Sequence, residues 1–184
     1  NMIRVTNEAF LKKADACAPK LKEIMVYPTG IVEIQDTGAD YPTAVQTDSA
    51  DNLRKHALKK GDKLCLDFGD HQVGYVTLKL SSIGSPQDAP AFFKLKFGEI
   101  AKEMTEKSEE YDGWISRGWI QEEYFHVDTL PTVLELSRRY AFRYLEIEVL
   151  DTSMKWQLVV DEVVCRSVSA VSTEEAKSFP SEDR

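Results

Sequence analysis

A chain of 184 residues is long enough for one domain with a substantial core, and 42% hydrophobic with 29% charged residues is ordinary globular composition. The net charge of −8 argues against nucleic acid or an anionic membrane surface as partner, because phosphates call for a basic face. No run reaches the roughly 18 apolar residues of a membrane span, and the residues after Met2 lack the basic and apolar regions of a secretory leader.

The first expected element is a helix from Asn7 to Ala18. Asn7 caps it, Glu8 suits its first turn, Phe10, Ala14 and Cys17 share one face, and Pro19 stops it. Ile24–Tyr27, a Pro28-Thr29-Gly30 turn and Ile31–Ile34 read as a hairpin. Polar sequence from Gln35 to Asn52 predicts loops with one short strand around Ala44-Val45.

Strand signals then dominate. Leu66-Asp67-Phe68-Gly69 followed by Val73-Gly74-Tyr75 reads as two adjacent strands with a tight link. Leu64, Leu66 and Phe68 fall on one face, as do Val76, Leu78 and Leu80, Phe93, Leu95 and Phe97, and Leu145, Ile147 and Val149. Lys63, Lys79, Lys94, Lys96, Glu146 and Glu148 fall opposite, the pattern of antiparallel strands with one dry and one wet face. Turn chemistry at Gly61-Asp62, Gly69-Asp70, Gly84-Ser85-Pro86 and Leu130-Pro131 separates the runs. Gly98 to Gly113 predicts a charged loop or short solvated helix; strand character returns over Trp114–Val127 and Val133–Leu136.

Nine or ten strands against one helix give an all-β antiparallel sandwich or jelly roll, with a closed barrel as rival. The expected organisation is one sandwich domain over 1–172, with a helical extension at about 7–18. A Ser/Glu-rich linker or frayed tail at 173–184 follows, beyond which the natural protein continues. Cys17, Cys65 and Cys165 are odd in number, widely spaced and set among apolar residues, so they are expected reduced and buried in a cytoplasmic protein.

Catalytic chemistry is sparse. His56, His71 and His126 have no Ser or Cys nucleophile near them in sequence. Glu122-Glu123 and Glu109-Glu110 are neighbours, and neighbours in a strand point to opposite faces, so neither forms a glycosidase pair. Calcium ligands drawn from Asp36 and Asp40, or from Asp48, Asp51 and Asn52, match no EF-hand spacing; no cofactor is expected, and any calcium site stays unassigned. The aromatic cluster carries more. Tyr111, Trp114, Trp119 and Tyr124, with Arg117, Gln121 and Glu122 at hand, supply both the ring face and the polar groups that a sugar needs. The expected carbohydrate-binding residues are Trp114, Arg117, Trp119, Glu122 and Tyr124; the same rings serve equally for covering the core edge or docking a neighbouring domain. Their odd spacing sets Trp114 and Trp119 on opposite faces of an ideal strand.

Asp67-Phe68-Gly69 with Val73-Gly74-Tyr75, then Leu95-Lys96-Phe97-Gly98-Glu99, then Arg139-Tyr140-Ala141-Phe142-Arg143-Tyr144-Leu145, resembles the β-sandwich domain that precedes the catalytic barrel in bacterial α-L-rhamnosidases. The resemblance runs from about Leu64 to Val168. It implies a jelly-roll domain whose family keeps its catalytic acids on a separate α-helical barrel, so no catalytic residue carries over. The implied role is accessory: binding of carbohydrate, rhamnose-containing glycans among the candidates, or support of a downstream catalytic domain. A free-standing interaction domain and a small hydrolase in its own right are the alternatives. Arg139 and Arg143 share a face and are expected to pair with Glu99 or Glu146, while Phe142 and Leu145 fall on opposite faces.

Overall fold

The computed structural model describes residues 7–35, 38 and 41–170. Contacts divide the chain into two units, one made of the terminal stretches and the other of Ile24–Ser167. In the terminal unit, α1 (Glu8–Cys17) forms where its cap predicted, with Asn7 Oδ1 accepting from the Ala9 and Phe10 amides. No residue of α1 is buried, so the Phe10 face stands in solvent. Cys17 is exposed, against expectation, because the helix has no packed side; Cys65 and Cys165 are buried, and all three thiols are free.

Ten strands appear among the described residues: β1 (Lys22–Val26), β2 (Gly30–Gln35), β3 (Thr43–Ser49), β4 (Ala57–Leu58), β5 (Lys63–Gly84), β6 (Ala91–Gly98), β7 (Gln121–Val127), β8 (Thr132–Glu135), β9 (Tyr140–Asp151) and β10 (Trp156–Ser169). A short helix, α2 (Ala101–Thr105), follows β6. No described helix is long and apolar enough to cross a membrane. The fold is an antiparallel, all-β sandwich. Its first layer runs β3-β2-β5-β9-β6-β7, and β8 and β10 pair with the later part of β5, with β4 on β10.

β5 is therefore shared by both layers, and the two adjacent strands expected at Leu66–Tyr75 are one strand of 22 residues. Its ladder with β9 breaks between Asp67 and Gln72, where Phe68–His71 leave the pairing and Gly69 takes φ 80°. Glycine suits that left-handed conformation, which a Cβ would strain. The hairpin expected at Ile24–Ile34 does not form; β2 pairs with β3 and β5 instead. The strand expected near Ala44 is β3, longer than read.

The period-two faces hold. Leu64, Leu66, Phe68, Val76, Leu78, Leu80, Phe93, Leu95, Phe97, Leu145, Ile147 and Val149 lie in one core with Phe142, Trp156 and Leu158. Phe68 and Phe97 meet the ring of Phe142 edge-on at 5.0 and 5.2 Å, and Tyr140 stacks on Phe97 at 4.0 Å. Phe142 and Leu145 were expected on opposite faces, yet both are wholly buried in this core. β9 changes phase across Arg143, between Phe142 and Tyr144, opposite the excursion in β5: Tyr144 joins the outer face while Phe142 and Leu145 both point inward. Arg143 pairs with neither Glu99 nor Glu146: Nε and one Nη donate to the two Asp67 carboxylate oxygens, each at 2.8 Å.

The Gly98–Gly113 segment is not simply solvated. Met104 of α2 is buried over Val32, Cys65 and Tyr144, a small second core on the outer face of the first layer. Burial there pushes the Cys65 thiol up to about 12, with the charges of Glu146 and Asp67 adding to it.

Candidate carbohydrate-binding surface

Register assembles the outer face of the first layer. β5, β9, β6 and β7 place Lys63, Glu148, Lys94 and Tyr124 in one cross-strand row, and Cys65, Glu146, Lys96 and Glu122 in the next. Alternating charges in neighbouring strands attract across the sheet. Lys63 Nζ lies 3.2 Å from Glu146 and 3.4 Å from Glu148; Lys94 Nζ lies 3.0 Å from Glu148 and 3.8 Å from Glu122. Burial works against the Glu148 carboxylate, but hydrogen bonds and charge from Lys94 and Lys63 hold it below its usual range.

Lys96 is the exception to the wet face, with only 4% of its surface exposed. The segment after β6 folds over it, and its Nζ donates to the carbonyl oxygens of Met104 (3.3 Å) and Glu106, with Glu122 at 3.9 Å. Burial lowers its pKa further than the facing glutamates raise it. Between this lattice and residues 104–109 lies a charged cleft of about 350 Å³.

The structure scatters the five residues selected from sequence around this surface. The strand expected from Trp114 begins only at Gln121; before it, Ser116 Oγ accepts from the Gly118 amide and starts a 3-10 turn over Arg117–Trp119. Trp114 and Trp119 therefore do not lie on opposite faces of one strand. Trp114 is 96% exposed and Arg117 is exposed beside it in sequence. Trp119, 41% exposed, meets Tyr111 edge-on at 5.8 Å and lines a small hollow with Phe97, Glu103 and Gln121. Gln121 itself is tied to the backbone of Ala141, its Nε2 donating to the carbonyl at 2.9 Å.

Glu122 and Tyr124 share the outer face of β7, away from that hollow. The Glu122 carboxylate accepts from Ser108 Oγ at 2.6 Å as well as facing the two lysines. Tyr124 is half exposed, and its ring lies 6.4 Å from Phe92, on which His126 stacks at 4.2 Å. Sequence reasoning missed both the charge lattice and this aromatic row. The lattice did leave a signal, the paired Lys94-Leu-Lys96 and Glu146-Ile-Glu148, which period two alone could only assign to a wet face.

The remaining candidates have structural partners. Asp48 accepts from the Ser49 amide (2.7 Å) and Asn52 Nδ2 (2.6 Å) and lies 2.9 Å from His56 Nε2. Those bonds, the one from Asn52 foremost, hold its carboxyl down at about 2. Asp36 and Asp40 lie outside the described residues. His71 is 3.6 Å from Glu99. Asp48, Asp67, Asp88 and Glu148 are all displaced downward, each held as an anion by the hydrogen-bond donors around it.

The site thus lies on a two-layer antiparallel sandwich with polar and aromatic side chains on its outer faces. Residues 28–167 match the family model described as glycosyl hydrolase family 78 alpha-rhamnosidase N-terminal domain, and the chain belongs to that family. Among solved structures it is similar to a rhamnosidase from Klebsiella oxytoca with rhamnose bound: 35% identity, a TM-score of 0.83, and coverage of 88% of this chain and 32% of that one. The chain thus spans about a third of that rhamnosidase. A low-affinity xylan-binding module of Roseburia intestinalis aligns at 12% identity and a TM-score of 0.36, over 82% of this chain and 97% of that one, too remote to bear on function. No curated protein matches the chain.

Proposed function

We propose that this chain is a non-catalytic accessory domain of an α-L-rhamnosidase-like glycoside hydrolase. It works in the cytoplasm beside a catalytic domain of the same polypeptide, without a cofactor of its own. The observation that carries this reading is the extent of the match: nearly the whole chain aligns, but with only 32% of the rhamnosidase, so most of that enzyme corresponds to nothing here. Carboxylates held as anions by lysine, arginine and amide partners support it. The chain alone is expected to leave an aryl α-L-rhamnoside intact; turnover that follows the purified chain through successive columns overturns the reading.

The domain contributes carbohydrate binding through Trp114, Arg117, Trp119, Glu122 and Tyr124, with Trp114 stacking on a pyranose face and Arg117 reaching its hydroxyls. Titrating tryptophan fluorescence with rhamnose and rhamnogalacturonan fragments should give a saturable change that Trp114→Ala and Trp119→Ala diminish. Affinity untouched by both changes removes the site. A second reading, a structural domain without sugar affinity, draws on the engagement of the Glu122 carboxylate with Ser108 and the lysines; it predicts no response to any sugar.

A further inference from the structure

Within β10, the ladder with β5 slips between Val160 and Glu162, leaving Asp161 as a bulge. Bulges re-aim side chains, and are common where a sheet meets a ligand. Asp161 here lines a cleft of about 290 Å³ together with Tyr27, Pro28, Leu53, Arg54 and Val163. That volume is near the lower end of small-molecule sites.

Both walls are fixed from outside the cleft. Thr29, next to Tyr27-Pro28, donates its amide (2.7 Å) and hydroxyl (3.0 Å) to the Asp67 carbonyl. The 3-10 turn Ala50–Lys55 that carries Leu53 and Arg54 is capped by Ser49 Oγ and braced by the Asp48–Asn52–His56 bonds. A site whose walls are already held loses little entropy on binding. Tyr27 remains about half exposed, an aromatic face on one side of the cleft.

The polar wall is charge-paired. Arg54 Nε donates to the Asp161 carbonyl at 3.1 Å and lies 3.7 Å from its carboxylate, while Glu162 pairs with Lys79 at 2.8 Å. Carboxylates balanced in this way do not demand a cation, and their remaining lone pairs accept from neutral hydroxyls. Asp51 adds another acceptor and disfavours an anion. Across the Arg54–Asp161 ridge lies a second depression of about 460 Å³, bordered by Lys79, Pro131 and Val133.

We propose that the Tyr27–Arg54–Asp161 cleft is a saccharide subsite separate from the Trp114 surface. One neutral pyranose lays its C–H face on Tyr27 and shares hydroxyls with Asp161 and Arg54; the next sugar of the chain continues over the ridge. The choice of a sugar rests on the accessory-domain reading, whereas the position of the cleft does not.

Amide NMR of the whole chain, titrated with L-rhamnose and with a rhamnosyl-glucose disaccharide, tests it. The expected result is saturable shifts at Tyr27, Arg54 and Asp161, tighter for the disaccharide. Tyr27→Ala should weaken them about tenfold or more, while Trp114→Ala leaves them unchanged. Shifts confined to Trp114–Tyr124 overturn the cleft and leave the accessory reading standing. Shifts nowhere overturn both forms of sugar binding. Shifts at the cleft that Tyr27→Ala does not alter, in a variant with an unchanged remaining spectrum, also overturn the assignment.

Discussion

Lys96 sits at a position that alternation assigns to solvent, yet it is sealed beneath the backbone of residues 104–106. A buried ammonium persists only if its donors and charge are met, and here two carbonyls accept from it while the Glu122 carboxylate faces it at 3.9 Å. Lys96→Met keeps the aliphatic stem and removes every donor. It should lower stability by about 2–4 kcal/mol by leaving acceptors buried and unpaired, read from urea midpoints. Asp48 carries a pH prediction. Its carboxyl titrates at about 2 in the folded chain, against 3.8 ordinarily. The unfolded chain therefore takes up this proton first as pH falls, so the contribution is present above about 4 and lost towards about 2. Asp48→Asn should flatten the stability profile in that window; an unchanged acid limb measured by urea unfolding would show the network to be idle.

At the scale of elements, β5 joins the two layers because its backbone can bend at Phe68–His71 and lie close to β10 at Gly74. A Cβ on Gly74 would stand 2.4 Å from the Arg166 carbonyl oxygen and 2.7 Å from Cys165 Sγ. Since the first obstacle is backbone, Gly74→Ala should destabilise by about 1–3 kcal/mol. Gly118→Ala, whose Cβ meets only Ser116 Oγ at 3.3 Å, should stay within about 0.5 kcal/mol in the same thermal-melt comparison. The sequence marked Gly69-Asp70 as turn chemistry, and Gly69 does take a left-handed conformation. It placed a break there, because a long strand that bends between layers and two short strands share one local pattern.

For the whole molecule, the aromatic group of Phe68, Phe97, Tyr140 and Phe142 is the point where β5, β6 and β9 meet. Phe142→Ala should cost about 3–5 kcal/mol, seen as a shift in the urea midpoint with the far-UV spectrum still that of a β protein. Smaller loss would mean that the core closes over the vacated volume.

Period two, turn residues and the Asn7 cap were enough to fix the β class, the inward residues of β5, β6 and the later part of β9, and the N-terminal helix, since each rests on neighbours within a few positions. The shift of phase across Arg143, the burial of Lys96 and the Asp67–Arg143 pair were not legible in that way. Nor was the meeting of Tyr27, Arg54 and Asp161 around one cleft. Each depends on which distant segments become neighbours: Asp67 and Arg143 are 76 residues apart. Local alternation says which way a side chain faces, and only the completed packing of the layers says what it faces.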